Sequence, residues 1–390
     1  MKLVSNQISP NFSFADALHA AWQIFGGKVV KKNEFEQIFY TEKFQLVSAA
    51  RTALGLIAED LKKRNARKKI GIPAFCCAVM ATPFLEKNFE IEWIDTDEFG
   101  VISVADFEKK SDALAAILIP HIFGQRAPVA EIVKIARAKK IVTIEDAAHF
   151  FEKKCEKTDF KILSFGREKD VSCISGGALL WSDSLDSQTA TKLENLNLRL
   201  PTKSWTAKHL LQPLVFSLSL PWWNFGGKVV AAACGKAFLP RAVTAAEKSG
   251  HEDFFAGKMP AAIQRVLRKS FENHDHDLAH RKKIAAAWRT ELLKNFPEAK
   301  IVVPPNFLRV ILIGVDRAEI LKKSRKIGFH LADWDGSPIA PAGVNLGNFG
   351  YKKNQCPGAE NFAKKYVTFP TNRRTNLSDV KKFAKLFGKK

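Results

Sequence analysis

The sequence predicts an α/β fold in which a mainly parallel sheet is flanked by helices on both faces. Two observations lead to this fold class. Between residues 47 and 182, short apolar runs of strand length alternate with amphipathic stretches of helix length, which is the pattern of βαβ units. The chain is also long, at 390 residues, and 46% of its residues are hydrophobic, which is ample for a large core and suggests two domains.

Apolar runs and their spacing assign the elements in chain order. We predict helices at 14–25, 52–64, 78–87, 128–138, 259–295, 317–327 and 379–387. We predict strands at 69–73, 89–95, 115–119, 141–144, 160–164, 177–181, 301–303 and 308–314. This arrangement indicates an N-terminal arm at 1–45, a large α/β domain at 46–250 and a small C-terminal α+β domain at 251–390.

Charge and cysteine content narrow the class of protein. The formal net charge is +21, and its favoured interpretation is a lysine-rich solvated surface. Attraction of an anionic substrate or lipid surface is an alternative, whereas nucleic-acid binding is not expected because no helix-turn-helix, zinc-finger or RNA-recognition signature is present. Six scattered cysteines without a Cys-x-x-Cys pair, and a polar first segment, indicate a cytoplasmic protein without disulfides.

An uncharged run at 210–227 interrupts the pattern of the large domain. It is slightly shorter than the roughly 20 apolar residues that span a bilayer, and it contains Pro213 and Pro221. Three interpretations stay open. The favoured one is a buried helical excursion or subunit contact. The others are a peripheral membrane contact, with Trp222 and Trp223 at the interface, and a true membrane span.

An acid and an amine follow two neighbouring predicted strands. Asp146 comes after the strand at 141–144, and Lys169 comes after the strand at 160–164. Open α/β folds bind ligands at the carboxyl ends of parallel strands. A pyridoxal phosphate (PLP) enzyme needs these two groups, a lysine for the Schiff base and a carboxylate facing the pyridinium nitrogen. A solvated surface lysine and a capping aspartate are the simpler alternatives.

Other segments could complete a PLP site. Ala50 and Arg51 directly precede the helix predicted at 52–64, where small residues let backbone N–H groups approach a phosphate. Ser164 could add a hydroxyl to this phosphate site. Phe75 and Cys76 follow a strand and could offer a ring-stacking face, although an aromatic there is more often part of the core. His149 could contact the cofactor or Asp146, or be an ordinary loop histidine.

A metal site is not expected. The cluster of histidines and aspartates at 274–280 has ligand-like composition, but no third ligand or general base surrounds it, so a polar helix face is favoured. The sequence also lacks the Gly-x-Ser-x-Gly, Walker and Gly-x-Gly-x-x-Gly motifs.

Taken together, these segments resemble the DegT/DnrJ/EryC1/StrS family of PLP-dependent sugar aminotransferases. The resemblance is carried by Glu-Asp-Ala-Ala-His at 145–149, Ser-Phe-Gly-Arg-Glu-Lys at 164–169 and Gly-Gly-Ala at 176–178. Pro-His-Ile-Phe-Gly-Gln at 120–125 and the tail at 356–370 are similar to further family segments. The order and spacing of the pieces are specific, whereas no single piece is.

The resemblance implies a fold of the PLP-dependent transferase type I, with a seven-stranded-type sheet, in a homodimer. It implies that Lys169 attaches PLP and shuttles a proton, that Asp146 keeps the ring nitrogen protonated, and that glutamate or glutamine donates the amine. The acceptor would be a keto sugar linked to a nucleotide, in the synthesis of surface polysaccharide or another glycan.

The chain departs from the family pattern in several places. Gly166, Arg167 and Glu168 stand where the family has His-Pro-Thr, and the phosphate cup has Ala50 and Arg51 in place of glycine and threonine. The segment at 205–245 has no counterpart in typical members. An alternative function is therefore a relative that does not transaminate and acts as a membrane-associated binding or regulatory protein.

Overall fold

The computed structural model describes residues 3–5, 12–153, 157–237, 243–331, 334 and 336–387. The strands are β1 (Val4–Ser5), β2 (Phe44–Val47), β3 (Lys69–Pro73), β4 (Cys76–Cys77), β5 (Glu90–Ile94), β6 (Leu114–Pro120), β7 (Val142–Asp146), β8 (Phe160–Ser164), β9 (Gly177–Trp181), β10 (Lys300–Val302), β11 (Arg309–Ile313), β12 (Phe329–His330), β13 (Ile339–Ala340) and β14 (Tyr366–Pro370). The helices are α1 (Phe14–Trp22), α2 (Lys32–Phe39), α3 (Ala50–Arg64), α4 (Thr82–Leu85), α5 (Val104–Lys110), α6 (Val129–Ala138), α7 (Ser187–Glu194), α8 (Lys203–Ser219), α9 (Gly227–Ala237), α10 (Ala245–Lys248), α11 (Ala261–Glu272), α12 (His274–Asn295), α13 (Arg317–Lys326), α14 (Pro357–Lys365) and α15 (Leu377–Ala384).

The central sheet has seven strands in the order β2-β9-β8-β7-β6-β3-β5. The five strands from β8 to β5 are parallel, and β9 runs antiparallel to both of its neighbours. Since β7 and β8 are adjacent and parallel, their carboxyl ends lie at the same edge of the sheet. Asp146 ends β7 and Ser164 ends β8, so this edge receives both loops that carry the predicted site.

Helices cover both faces of this sheet, as the alternation in β6 shows. Ile117 and Ile119 of β6 belong to one apolar cluster with Ile132 of α6. Leu118, between them in sequence, belongs to a different cluster with Ile57 of α3. Successive strand residues point to opposite faces, so α6 and α3 lie on opposite sides of the sheet. This confirms the predicted α/β fold class.

A second, three-stranded antiparallel sheet forms in the C-terminal part, in the order β10-β11-β14. Its apolar residues cluster with those of α12, α13 and α15, for example Val310 with Trp288 and Phe383. The short strands β4 and β13 pair in parallel as a separate two-stranded sheet, which joins this part of the chain to the segment that follows β3. The domain boundaries at 46–250 and 251–390 stay a prediction.

Several elements differ from the sequence prediction for identifiable reasons. The predicted helix at 259–295 is two helices, because Asn273 ends α11 and begins α12. The predicted helix at 78–87 is a 3-10 turn followed by α4, which starts beside Pro83, a residue that lacks the N–H needed farther inside a helix. Helix α2 in the N-terminal arm was not predicted.

The uncharged run at 210–227 forms the end of α8, a 3-10 turn at Leu220–Phe225 and the start of α9. Some of its side chains are exposed, including Leu218, Trp222 and Phe225. Across the residues that the structure describes, no helix is both long enough and apolar enough to cross a membrane. These exposed side chains do not fit a fully buried excursion, whereas the subunit contact and the alternative of a peripheral membrane contact are untested.

Candidate active site

A cavity of about 610 Å³ opens at the carboxyl ends of β7 and β8. This volume is within the range of ligand pockets. Its wall includes the end of β7, the loop after β8, the start of α3 and the middle of α8. Lys169, Asp146, His149 and Ser164 all line it, so the structure brings these predicted residues together.

Lys169 and His149 are joined by a hydrogen bond, with 3.0 Å between Nζ and Nε2. The backbone N–H of Phe123 donates to Nδ1 of His149 over 3.2 Å, so Nδ1 carries no hydrogen. Burial keeps the pKa of His149 well below its usual range, so the ring is neutral and its hydrogen is on Nε2. Nε2 therefore donates to Nζ, which requires the Lys169 amine to be neutral.

The electrostatics of Lys169 agree with a neutral amine. Burial lowers its pKa, and the charge of Arg309 acts in the same direction, against the nearby Asp146 and Glu168 carboxylates. Burial favours the uncharged form of an amine, which is its nucleophilic form. Lys169 lines the cavity, and its role in attaching PLP stays a prediction.

Asp146 is buried at the end of β7, and its Oδ1 accepts the backbone N–H of Ala148 over 2.9 Å. In the part of the chain that the structure describes, Oδ2 has no hydrogen-bond partner. Burial raises the pKa of Asp146, and the hydrogen bond from the backbone N–H of Ala148 opposes this shift. A cationic ring nitrogen facing the cavity would stabilise the ionised carboxylate further.

A buried polar network supports the strand behind Asp146. His121 accepts the N–H of Ala127 at Nδ1 over 3.0 Å, so its Nε2 donates to Oε1 of Glu145 over 2.9 Å. Nζ of Lys161 lies 3.4 Å from the other oxygen of Glu145. These contacts give the buried Glu145 its partners and hold the end of β7 in place.

The start of α3 has the features of a phosphate cup. Ala49, the residue that caps this 15-residue helix, offers no side chain to its first turn, and Ala50 and Arg51 line the cavity. A helix N-terminus attracts anions. A Cβ on Gly177 would lie 2.6 Å from the backbone nitrogen of Ala50, so only glycine lets β9 pass this close to the helix.

The side chain of Arg51 is neither free for a phosphate nor solvated, because it is paired within the protein. Its guanidinium forms an ion pair with Glu247, which is 1% exposed, and lies 4.9 Å from the ring centroid of Phe254. Ser164 lines the same end of the cavity. The helix terminus and the hydroxyl are therefore the groups available to a phosphate.

Phe75 and Cys76 do not reach the cavity. Both are fully buried, and Phe75 packs its ring against Phe123, Phe362 and Tyr366. The next residue, Cys77, lines the cavity in their place, because side chains alternate along the short strand β4. Phe75 is thus part of the aromatic core, and the ring-stacking role predicted for this segment is not supported for Phe75 or Cys76.

The structure also adds residues that the sequence did not single out. Arg309, 4% exposed, places its Nη2 at 3.9 Å from Oε2 of Glu168. Arg309 was recognisable in principle as a charged residue inside an otherwise apolar predicted strand. His209, Gln212 and Phe216 of α8 also line the cavity, so the atypical segment contributes directly to the site.

The site fits PLP. Lys169 offers an amine for its aldehyde, Asp146 a free carboxylate oxygen for its ring nitrogen, and the uncapped start of α3 a place for its phosphate. A resident metal ion has no comparable site, because the described residues contain no group of three or more His, Cys, Asp or Glu side chains that could hold one.

Comparison with known proteins agrees with this chemistry. The model of the DegT/DnrJ/EryC1/StrS aminotransferase family matches residues 14–387. The chain is 22% identical to the uncharacterised protein MJ1066 of Methanocaldococcus jannaschii over 386 residues, which cover 94% of this chain and 90% of that protein.

Two solved structures show the same fold. PseC of Helicobacter pylori, an aminotransferase involved in the biosynthesis of pseudoaminic acid, is 13% identical with a TM-score of 0.70 over 99% of both chains. The PLP form of the putative sugar aminotransferase Spr1654 from Streptococcus pneumoniae is 13% identical with a TM-score of 0.71, over 99% of this chain and 97% of that chain. The chain therefore belongs to the DegT/DnrJ/EryC1/StrS aminotransferase family and is a PLP-dependent aminotransferase of fold type I.

Proposed function

We propose that the protein transfers an amino group from glutamate or glutamine to a nucleotide-linked keto sugar, in the synthesis of surface polysaccharide or another glycan. The observation that carries the proposal is the neutral amine of Lys169, held by His149 in a cavity that also presents Asp146 and the start of α3. When bound, PLP supplies an aldehyde that condenses with amines and a ring that withdraws electrons from the substrate carbon.

The chain's own residues divide the work. Lys169 would attach the cofactor through Nζ, and the same atom would accept and return the proton of the reacting carbon. Asp146 would bind the ring nitrogen and favour its protonated form. The start of α3 and Ser164 hold the phosphate, while Gly177 keeps the cup open for it.

The sugar acceptor is supported by the family and by the names of the solved structures that share the fold. It is also supported by the polar wall that α8 adds to the cavity, where His209 and Gln212 stand beside Phe216. Such a wall suits a substrate with both hydroxyl groups and an apolar ring face. We also propose that the protein acts in the cytoplasm as a homodimer, which light scattering on a sizing column would test.

A spectral titration tests the proposed function. Glutamate or glutamine added to the PLP-loaded protein should change the cofactor absorbance as the amine moves onto the cofactor. A panel of nucleotide-linked keto sugars should then restore the original spectrum, and mass spectrometry should find the aminated sugar. The substrate proposal fails if glutamate changes the spectrum but only keto acids restore it.

A further inference from the structure

Arg167 occupies an unusual position for a charged side chain. It lines the cavity on the side of α8, with its guanidinium carbon 5.0 Å from the ring centroid of Phe216. Among the residues described, no carboxylate or carbonyl group pairs with its guanidinium. The adjacent acid, Glu168, is the partner of Arg309 instead.

The hydrogen-bond donors of the Arg167 guanidinium have no acceptor among the side chains and carbonyl groups that the structure describes. Arginine stays charged and carries five N–H donors, and the stack on Phe216 satisfies none of them. The other arginines near the site have carboxylate partners: Arg51 pairs with Glu247, Arg281 with Asp170 and Arg309 with Glu168. A desolvated charge is costly without an opposite charge, so Arg167 suits an anion that arrives with a ligand.

The wall around Arg167 belongs to α8 and is neutral. Nδ1 of His209 lies 2.8 Å from the carbonyl oxygen of Trp205, which can only accept, so Nδ1 carries the hydrogen. Burial lowers the pKa of His209 to about 4, so the ring is neutral and Nε2 is an acceptor. His209 therefore suits a hydroxyl group, and Arg167 supplies the positive charge at this wall.

Arg167 serves a different part of the cavity from Arg309. The charge of Arg309 acts on both Lys169 and His149, at the reacting end. The charge of Arg167 acts on His209 of α8. A ligand group that reaches Arg167 therefore lies on the α8 side of the cavity.

We propose that Arg167, backed by Phe216 and beside His209, forms an anion subsite for a phosphate or carboxylate group that the substrate carries away from its reacting carbon. The proposal rests on the proposed function, since it requires the substrate to occupy this cavity. A diphosphate of the sugar acceptor and the distal carboxylate of a dicarboxylic amino donor share this chemistry, because a guanidinium binds either group through two parallel hydrogen bonds.

Calorimetric titration of the PLP-loaded protein distinguishes the two sources. The probes are uridine diphosphate, for the acceptor, and glutarate, for the donor; neither has an amine that could react. Replacement Arg167→Gln should weaken the probe that uses the subsite by about 10- to 100-fold, as expected for lost charge-assisted hydrogen bonds. Arg167→Lys keeps the charge but cannot form the two parallel hydrogen bonds of a guanidinium, so its affinity for the probe should lie between those of the wild type and Arg167→Gln.

Arg126→Gln is the matched control, because Arg126 also lies over a phenylalanine ring, that of Phe150, but outside this cavity. It should bind both probes as the wild type does. Equal affinity of wild type and Arg167→Gln for both probes, or no binding of either probe to the wild type, would overturn the subsite. Because the probes do not react, this result is independent of whether the spectral titration supports the sugar substrate.

Discussion

Two arginines close to Lys169 have opposite surroundings. Arg281 is 1% exposed and fully paired: Nη1 donates to Oδ1 of Asp170 and Nη2 donates to its backbone carbonyl, each over 2.6 Å. Arg167, two residues before Lys169, has its guanidinium over the ring of Phe216 and no carboxylate partner among the residues that the structure describes. An arginine paired with a carboxylate thus holds the site together, whereas one without such a partner is left for a ligand.

The paired arginine is the centre of a network that holds both reactive loops. Oδ2 of Asp170 accepts the backbone N–H of Phe151 and a hydrogen of the Asn306 amide, each over 2.8 Å. The same amide nitrogen of Asn306 donates to the carbonyl of His149 over 2.7 Å. Lys169 precedes Asp170 directly, so this network fixes Lys169 and His149 relative to each other.

The largest effect should follow from breaking the paired arginine. Arg281→Met leaves the Asp170 carboxylate buried without its cation, which should lower the free energy of unfolding by about 3–5 kcal/mol. Urea denaturation measures the change. Arg126→Met, at an exposed ion pair, should change it by less than about 0.5 kcal/mol. A loss below about 1 kcal/mol for Arg281→Met would show that this network does not stabilise the two loops.

A smaller loss is expected where the network meets His149. Asn306→Ala removes two donated hydrogen bonds, one to the carbonyl of His149 and one of the two that Oδ2 of Asp170 accepts, which should lower the free energy of unfolding by about 1–3 kcal/mol. Asn195→Ala is the matched control, because its amide makes a single exposed bond to Thr191. Denaturation of both variants under the same conditions provides the test. Equal losses of unfolding free energy would show that Asn306 does not contribute to the stability of the network.

The unpaired arginine should show the opposite balance. Arg167→Gln removes a charge that has no carboxylate partner in the described chain, so the free energy of unfolding should change by less than about 1 kcal/mol. Denaturation alongside Arg281→Met measures this directly. A loss as large as that of Arg281→Met would show that Arg167 stabilises the fold as Arg281 does, and the two residues would then not differ in role.

The smallest effect concerns the proton on His149. His149→Leu removes the N–H that stabilises the neutral Lys169 amine, so the pKa of Lys169 should rise. Less neutral amine is then present at neutral pH, and PLP should attach about 2- to 10-fold more slowly, as expected for one lost hydrogen bond. His149→Gln, which can donate and accept at the same positions, should largely restore the rate. Rate measurements across pH would contradict this account if His149→Leu shifted the profile to lower pH.

The sequence was sufficient for every strand of the large sheet except β2, and for placing Asp146 and the Lys169 loop near each other. The apolar runs that became β6, β7 and β8 are long enough to be recognised, and the rule for parallel strands then places Asp146 and the Lys169 loop at one edge. The break at Asn273 and the short helix α2 could not be predicted, because the local pattern permits a continuous helix at the first and an extended arm at the second.

The residues that hold Lys169 and His149 in place could not be identified from the sequence, for a different reason. Arg281 and Asp170 are separated by 111 positions, and Asn306 and His149 by 157, so their contacts depend on how distant parts of the chain pack. The choice between Cys76 and Cys77 depends on one step of strand alternation, which the sequence does not determine in a two-residue strand. Pairing of Arg51 with Glu247 likewise requires the packed structure.

The central claim is that Lys169 is the residue that attaches PLP. Borohydride reduction of the PLP-loaded protein, followed by peptide mass spectrometry, identifies the attached lysine. The account predicts the cofactor mass on the peptide that contains Lys169, its loss in Lys169→Ala, and its retention in Lys248→Ala, which removes another lysine that lines the cavity. Cofactor mass on Lys248, or undiminished labelling of Lys169→Ala, would contradict it.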